Sequence, residues 1–132
     1  GRASNSGTAP AFGGFFYDLF AGGLIFGRKC ITGTSNNTWY LNREDTVVIG
    51  YTSAASVVYL PASPKEGQVI FVKQWWRGYM RFRPRSGYLI YDDTSVNDYY
   101  DFGEGQGGMF VYTVGYVDEV KKQAWLVSRW KY

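Results

Sequence analysis

Histidine is absent from the 132 residues, and with it go the commonest general base, the commonest metal ligand and the Ser-His and Cys-His nucleophile pairs. Acid–base chemistry would therefore fall to carboxylates. Asp92, Asp93, Asp98, Asp101 and Glu104 share one acidic, aromatic stretch, and two carboxylates about 5 to 10 Å apart across a glycosidic bond are the apparatus of glycoside hydrolysis. Acidic residues set among Gly, Ser and Asn ordinarily solvate a loop and cap its turns, so no catalytic residue and no enzyme activity is assigned. Calcium asks for six to eight oxygen ligands, and the spacing matches no EF-hand loop, so no metal site and no cofactor is assigned either.

The remaining motifs carry little chemistry. Gly103-Glu104-Gly105-Gln106-Gly107-Gly108 satisfies G-x-G-x-x-G, but that fingerprint works only between a strand and a helix whose N-terminus meets pyrophosphate. Here Met109-Phe110-Val111-Tyr112 follows and reads as a strand, which leaves a glycine turn. Asn36-Asn37-Thr38 fits a glycosylation sequon by chance. Cys30 is the one cysteine, so no internal disulfide exists. It is expected to be buried and inert on a strand.

Binding is better represented. Trp75, Trp76, Arg77 and Tyr79 stand beside Arg81, Arg83 and Arg85 in a chain of net charge +3. Rings and guanidinium groups in that mixture can stack bases and meet phosphates, hold a glycan, or form a subunit interface. Tyr99 and Tyr100, in the acidic stretch, are secondary ligand-binding candidates.

The elements that must carry these residues read as strands. Val47–Ile49, Val57–Leu60 and Val69–Val72 are β-branched and aromatic runs. Pro61, Pro64 and Gly67 make a corner between the second and third. Tyr79-Met80-Arg81-Phe82-Arg83 alternates at period two, one face for the core and one for water, and Pro84 ends it. Phe15–Phe20 and Leu24–Ile31 read as a pair joined at Ala21-Gly22-Gly23, with further strands at Trp39–Leu41, Tyr88–Tyr91, Met109–Val117 and Ala124–Trp130. Asp92–Gly108 reads as a long loop. No helical period is sustained over three turns, and no internal repeat of fixed period is seen. The chain is expected to be all-β, an antiparallel sandwich or barrel of about nine to ten short strands, with no substantial helix. The Gly/Ser/Ala-rich residues Gly1–Gly14 read as a flexible leader, and residues 15–132 as a single domain large enough to bury a real core. No run of about 18 apolar residues predicts a membrane span, and no secretion signal is read. The chain reads as an excerpt of a longer polypeptide.

Leu60-Pro61-Ala62-Ser63-Pro64 with Gly67-Gln68 and Lys73, and the closing Trp125-Leu126-Val127, resemble a pattern of the β-rich C-terminal domains of bacteriophage tail fibres and related virion appendages: a strand, L-P-A-(S/A)-P-x-x-G-Q, a strand ending near Lys, and a final W-x-(L/I/V) strand. The resemblance covers Thr46 to Trp130. Trp75-Trp76-Arg77 stands where small polar turn residues would follow the Lys, and Gly1–Arg43 matches nothing in the pattern. The resemblance implies a virion location, a homotrimer joined to the rest of a fibre or tail, and attachment to a bacterial surface glycan, without nucleic acid and without membrane insertion. The residues expected to carry binding are Trp75, Trp76, Arg77, Tyr79, Tyr99 and Tyr100. The alternatives are a non-adhesive trimerisation module of the same appendage, a stand-alone carbohydrate-binding domain, and a glycan-cleaving enzyme.

Overall fold

The computed structural model describes residues 26–92, 94–117 and 120–130. They form β1 (Arg28–Gly33), β2 (Asn37–Tyr40), β3 (Val47–Thr52), β4 (Ala55–Tyr59), β5 (Val69–Gln74), β6 (Tyr79–Arg83), β7 (Leu89–Tyr91), β8 (Val96–Asn97), β9 (Tyr100–Phe102), β10 (Gly107–Val117) and β11 (Val120–Arg129). No helix occurs among the described residues. The leader Gly1–Gly14 and the expected strand Phe15–Phe20 lie outside them.

The first six strands alternate between two sheets. β1, β3 and β5 are parallel neighbours in a seven-stranded sheet, and β2, β4 and β6 are parallel neighbours in a four-stranded one. The chain thus winds as three coils of a parallel β-solenoid, each coil giving one strand to each sheet. From the first coil to the second the offset is 19 residues, with Arg28 beside Val47 and Asn37 beside Ser56. From the second to the third it is 24, with Val47 beside Phe71 and Ala55 beside Tyr79. The longer Pro61–Gly67 corner absorbs the difference, which is why no fixed period is visible in the sequence. Gly67 sits there at φ +87°, in the left-handed region open to glycine.

A hairpin of the last two strands then enters the larger sheet. β10 runs antiparallel to β5 and β11, and β11 runs parallel to β7, so the sheet order is β1-β3-β5-β10-β11-β7-β8. β9 lies antiparallel to β6 and completes the order β2-β4-β6-β9.

The all-β reading is what the structure holds, and of the expected sandwich or barrel the described residues form two sheets, of eleven strands in all and mixed rather than antiparallel. The pairing differs from expectation for a physical reason. Parallel strands usually need a helical crossover of a dozen residues or more, and the short connections here suggested hairpins. In a solenoid the crossover is a strand of the opposite sheet, so neighbours run parallel although every connection is short. β8 and β9, both within the expected loop Asp92–Gly108, are the strands that the sequence reading lacks.

Alternation fills the core. In β6, Met80 and Phe82 are fully buried while Tyr79, Arg81 and Arg83 face outward. Phe82, Phe102, Phe110 and Trp125 form one aromatic cluster, with Phe82–Phe110 centroids 5.0 Å apart and Phe110–Trp125 edge-on at 6.4 Å. Leu41 and Leu60 turn inward at stacked corners, their amides donating to Tyr59 O and Arg83 O, each at 2.9 Å. Cys30 lies on β1 as expected but is exposed, not buried. It falls on the outward phase of the strand, one residue before the fully buried Ile31. No helix among the described residues is long and apolar enough to cross a membrane.

Candidate functional site

A buried polar ladder positions the corner between β5 and β6. Gln74, the last residue of β5, has no exposure, and its side-chain amide donates to Thr52 O at 3.2 Å and Trp76 O at 3.1 Å. Trp75 N donates to Gly50 O at 2.8 Å, and Gly78 N to Thr52 O at 2.9 Å. One coil down, the buried Thr52 hydroxyl donates to Gly33 O at 3.0 Å, and the buried Ser56 hydroxyl donates to Asn37 Oδ1 at 2.9 Å. Gly78 must be glycine, because a Cβ there would strike the backbone of Thr52 and Ala54.

Backbone held this firmly throws its large side chains outward. Trp75 is 61% exposed, with the Lys73 ammonium 5.6 Å from its ring centre. Trp76 is half-buried and stacks on Tyr51 at 4.9 Å, while the Arg77 guanidinium lies 5.5 Å from the Trp76 ring. Tyr51, 53% exposed, belongs to this patch although the sequence reading passed over it. Its signal was its outward phase at the end of β3, level with the corner of the next coil.

Tyr79, the first residue of β6, begins a second patch on the outer face of the smaller sheet. There the Arg81 guanidinium lies 3.8 Å from the centre of Tyr99 and 5.7 Å from that of Tyr79. Arg81 also grips the Asp101 carboxylate with two bonds, of 2.9 and 3.0 Å. That carboxylate raises the Arg81 pKa above its ordinary value. Tyr100 has a different place, half-buried against the core with the Arg129 guanidinium 4.9 Å from its ring. The structure therefore gathers Trp75, Trp76 and Arg77 at the corner, places Tyr79 and Tyr99 around Arg81 on the adjoining face, and turns Tyr100 toward the interior. Tyr40, Tyr59 and Arg85, absent from the expected set, also occupy that face. Tyr40 and Tyr59 stack at 5.1 Å, and Arg85 lies 4.9 Å from the Tyr40 ring.

Two carboxylates of the acidic stretch, Asp92 and Asp101, are committed to structure. Asp92 Oδ1 accepts from the Thr94 hydroxyl at 2.8 Å, Thr94 N at 3.1 Å and Ser95 N at 3.0 Å, and the hydroxyl bond above all holds its pKa below the ordinary value. Asp101 is paired with Arg81, Asp98 is exposed on the connection to β9, and Asp93 lies outside the described residues. Gly103–Gln106 is a turn leading into β10, with Gln106 Oε1 accepting from Gly103 N at 2.7 Å, so the glycine motif caps no helix. Among the described residues no three His, Cys, Asp or Glu side chains group as metal ligands would.

No protein-family model matches the chain, and no curated protein sequence matches it.

Proposed function

We propose that the chain is an attachment domain of a bacteriophage tail-fibre-like appendage, holding glycans of a bacterial surface by contact rather than by chemistry. The carrying observation is the corner patch: Trp75 and Tyr51 are 61% and 53% exposed and are fixed by a buried hydrogen-bond ladder. Large rings presented on a rigid backbone lose little entropy on binding, and their faces suit the C–H surfaces of sugars. A single such patch binds weakly. Several copies in one homotrimeric appendage would convert weak contacts into avidity.

The test is binding of the fluorescently labelled domain to a panel of intact bacteria, with and without their surface polysaccharides. Labelling that disappears on stripping, and with Trp75→Ala plus Trp76→Ala in a protein that still folds, supports the reading. A folded domain that labels no strain refutes it.

A second reading, a structural module that trimerises the appendage, is favoured by the outer face of the larger sheet. Phe26 packs on Phe71 at 5.7 Å and Phe71 on Trp130 at 6.5 Å, and Phe26, Leu126 and Trp130 are 41%, 38% and 51% exposed. Apolar area of this kind on one sheet face suits a subunit contact. A trimer that never adheres would select it.

A further inference from the structure

Across the four-stranded sheet the register sets outward residues in rungs. Tyr40 stands beside Tyr59, and Tyr59 beside Arg83. Tyr99, one residue before β9, completes the row, its ring centre 5.5 Å from the Arg83 guanidinium. Four positions at the usual spacing between strands make a track of about 14 Å, the length of an oligosaccharide rather than of one sugar.

Each ring on this track already carries a neighbour on one face, although Tyr40 and Tyr99 remain 55% and 42% exposed. Tyr40 and Tyr59 lie face to face, with 8° between their planes. Tyr99 carries the Arg81 guanidinium at 3.8 Å. Arg85 lies 4.9 Å from the Tyr40 centre and 5.9 Å from that of Tyr59. A neutral sugar stacked through its C–H surface, or a nucleic-acid base, needs exposed ring face, and Trp75, 61% exposed even with the Lys73 ammonium 5.6 Å from its centre, offers more of it than the rings of the track. The rung instead offers phenol edges and guanidinium N–H groups.

Those guanidinium groups are unequally satisfied. Arg81 spends two donors on Asp101, at 2.9 and 3.0 Å. Arg83 and Arg85 face no carboxylate among the described residues, where Arg81–Asp101 is the ion pair. Arg85 Nε is buried with no acceptor. Of the three arginines on this face, Arg81 alone is ion-paired among the described residues, which leaves the Arg83 and Arg85 charges unpaired. Rings hold the two unpaired heads in place, which prepares them for a planar, bidentate acceptor.

We propose that this rung binds an acidic polysaccharide, its carboxylate or phosphate groups meeting Arg83 and Arg85. The inference rests on the attachment reading for its biological setting and adds the ligand class. The experiment is affinity electrophoresis and titration calorimetry of the domain with polygalacturonate as the carboxylate polymer, a poly(glycerol phosphate) as the phosphate polymer, dextran as the neutral one, and an oligothymidylate. Arg83→Gln and Arg85→Gln, each checked by thermal melting, are compared with the unaltered chain.

The expected result is salt-sensitive binding of at least one acidic polymer, weakened about tenfold by each substitution, with dextran bound no more weakly by the variants than by the unaltered chain. The relative affinity for the two acidic polymers assigns the acceptor as carboxylate or phosphate. Binding of neither polymer, binding indifferent to both substitutions, or equal affinity for the oligothymidylate overturns the proposal. Failure here is distinct from failure of the attachment reading. Cells labelled through Trp75 while neither acidic polymer binds would leave that reading standing alone. Acidic polymers held by Arg83 and Arg85 while no strain is labelled would do the reverse.

Discussion

Replacing Gly50 with alanine should destabilise the fold by about 2 to 4 kcal/mol, from overpacking, lost hydrogen bonds and a smaller backbone gain. Gly50 is buried in β3, in register with Gln74. A Cβ there would stand 2.7 Å from both Sδ and Cε of Met80 and would overlap Gln74 Oε1. These are ends of flexible side chains, so the methyl can be housed, but only by moving the Gln74 amide off Thr52 O and Trp76 O. Two hydrogen bonds at about 1 kcal/mol each are then lost, and crowding Met80 adds about 1 kcal/mol or more. The lower backbone entropy of alanine in the unfolded chain returns about 0.5 to 1 kcal/mol. For a domain of this size the net loss corresponds to a fall in melting temperature of about 10 °C. Gly115→Ala is the control: nothing lies within 4 Å of its Cβ position, and its melting temperature should hold or rise slightly. A second check is non-additivity. In a Gln74→Ala background, already lacking the two bonds, Gly50→Ala should cost visibly less than alone. If Gly50→Ala melted within 2 °C of the unaltered protein, or if the two changes were simply additive, the account of a corner locked by Gln74 would be wrong.

Three further outcomes follow from the same structure. Phe82→Ala should destabilise by about 3 to 5 kcal/mol and give no folded protein near 37 °C, whereas Arg83→Gln, on the outer face of the same strand, should melt within a few degrees of the unaltered chain. Trp75→Ala, at a side chain 61% exposed, should change stability by about 0.5 kcal/mol or less while reducing cell labelling, and melting curves run beside the binding assay separate the two effects. Tyr112 is buried, and burial first, then Tyr88 and Glu66, raises its pKa above the ordinary 10.0. Its neutral form therefore contributes stability that is complete below pH 10 and lost as pH rises through the folded value, because the unfolded chain ionises first. Melting temperature followed from about pH 9 upward should fall less steeply for Tyr112→Phe.

Much of the fold was legible because strands such as β4, β5 and β6 each turn an apolar face to the core. The Tyr79–Arg83 alternation correctly sorted Met80 and Phe82 from Arg81 and Arg83, and Gly67 took the positive φ that its corner required. Parallel pairing was not legible. A strand half-buried against a single core shows the same alternation whether its neighbours run parallel or antiparallel, and the 19- and 24-residue offsets hide the coil in what looks like aperiodic sequence. β8 and β9 are two and three residues long, too short to show a period. Of the candidate site, residue type revealed the Trp and Arg members. Tyr40, Tyr51 and Tyr59 emerged only when coils were stacked, since what makes them surface neighbours is register across the sheet and not distance along the chain. Tyr100 was expected on a loop, whereas β9 turns its ring toward Phe102, 5.4 Å away.

The hairpin inserted between β5 and β7 sets an order of events for a growing chain. The first three coils pair with partners already made, so they can close one after another as synthesis proceeds. β7 cannot: Ile90 pairs with Trp125, which is translated 35 residues later. Until β10 leaves the ribosome, β5 has an open edge and the underside of Phe82 lacks Phe110, and until β11 follows, the open edge is that of β10 and β7 lacks its neighbour. A chain cut short before β11 would therefore carry an unfinished, adhesive sheet edge instead of a smaller version of the domain. Nascent chains stalled before Ala124 should be readily cleaved by protease, and emergence of the whole of β11 should confer resistance on the domain in a single step.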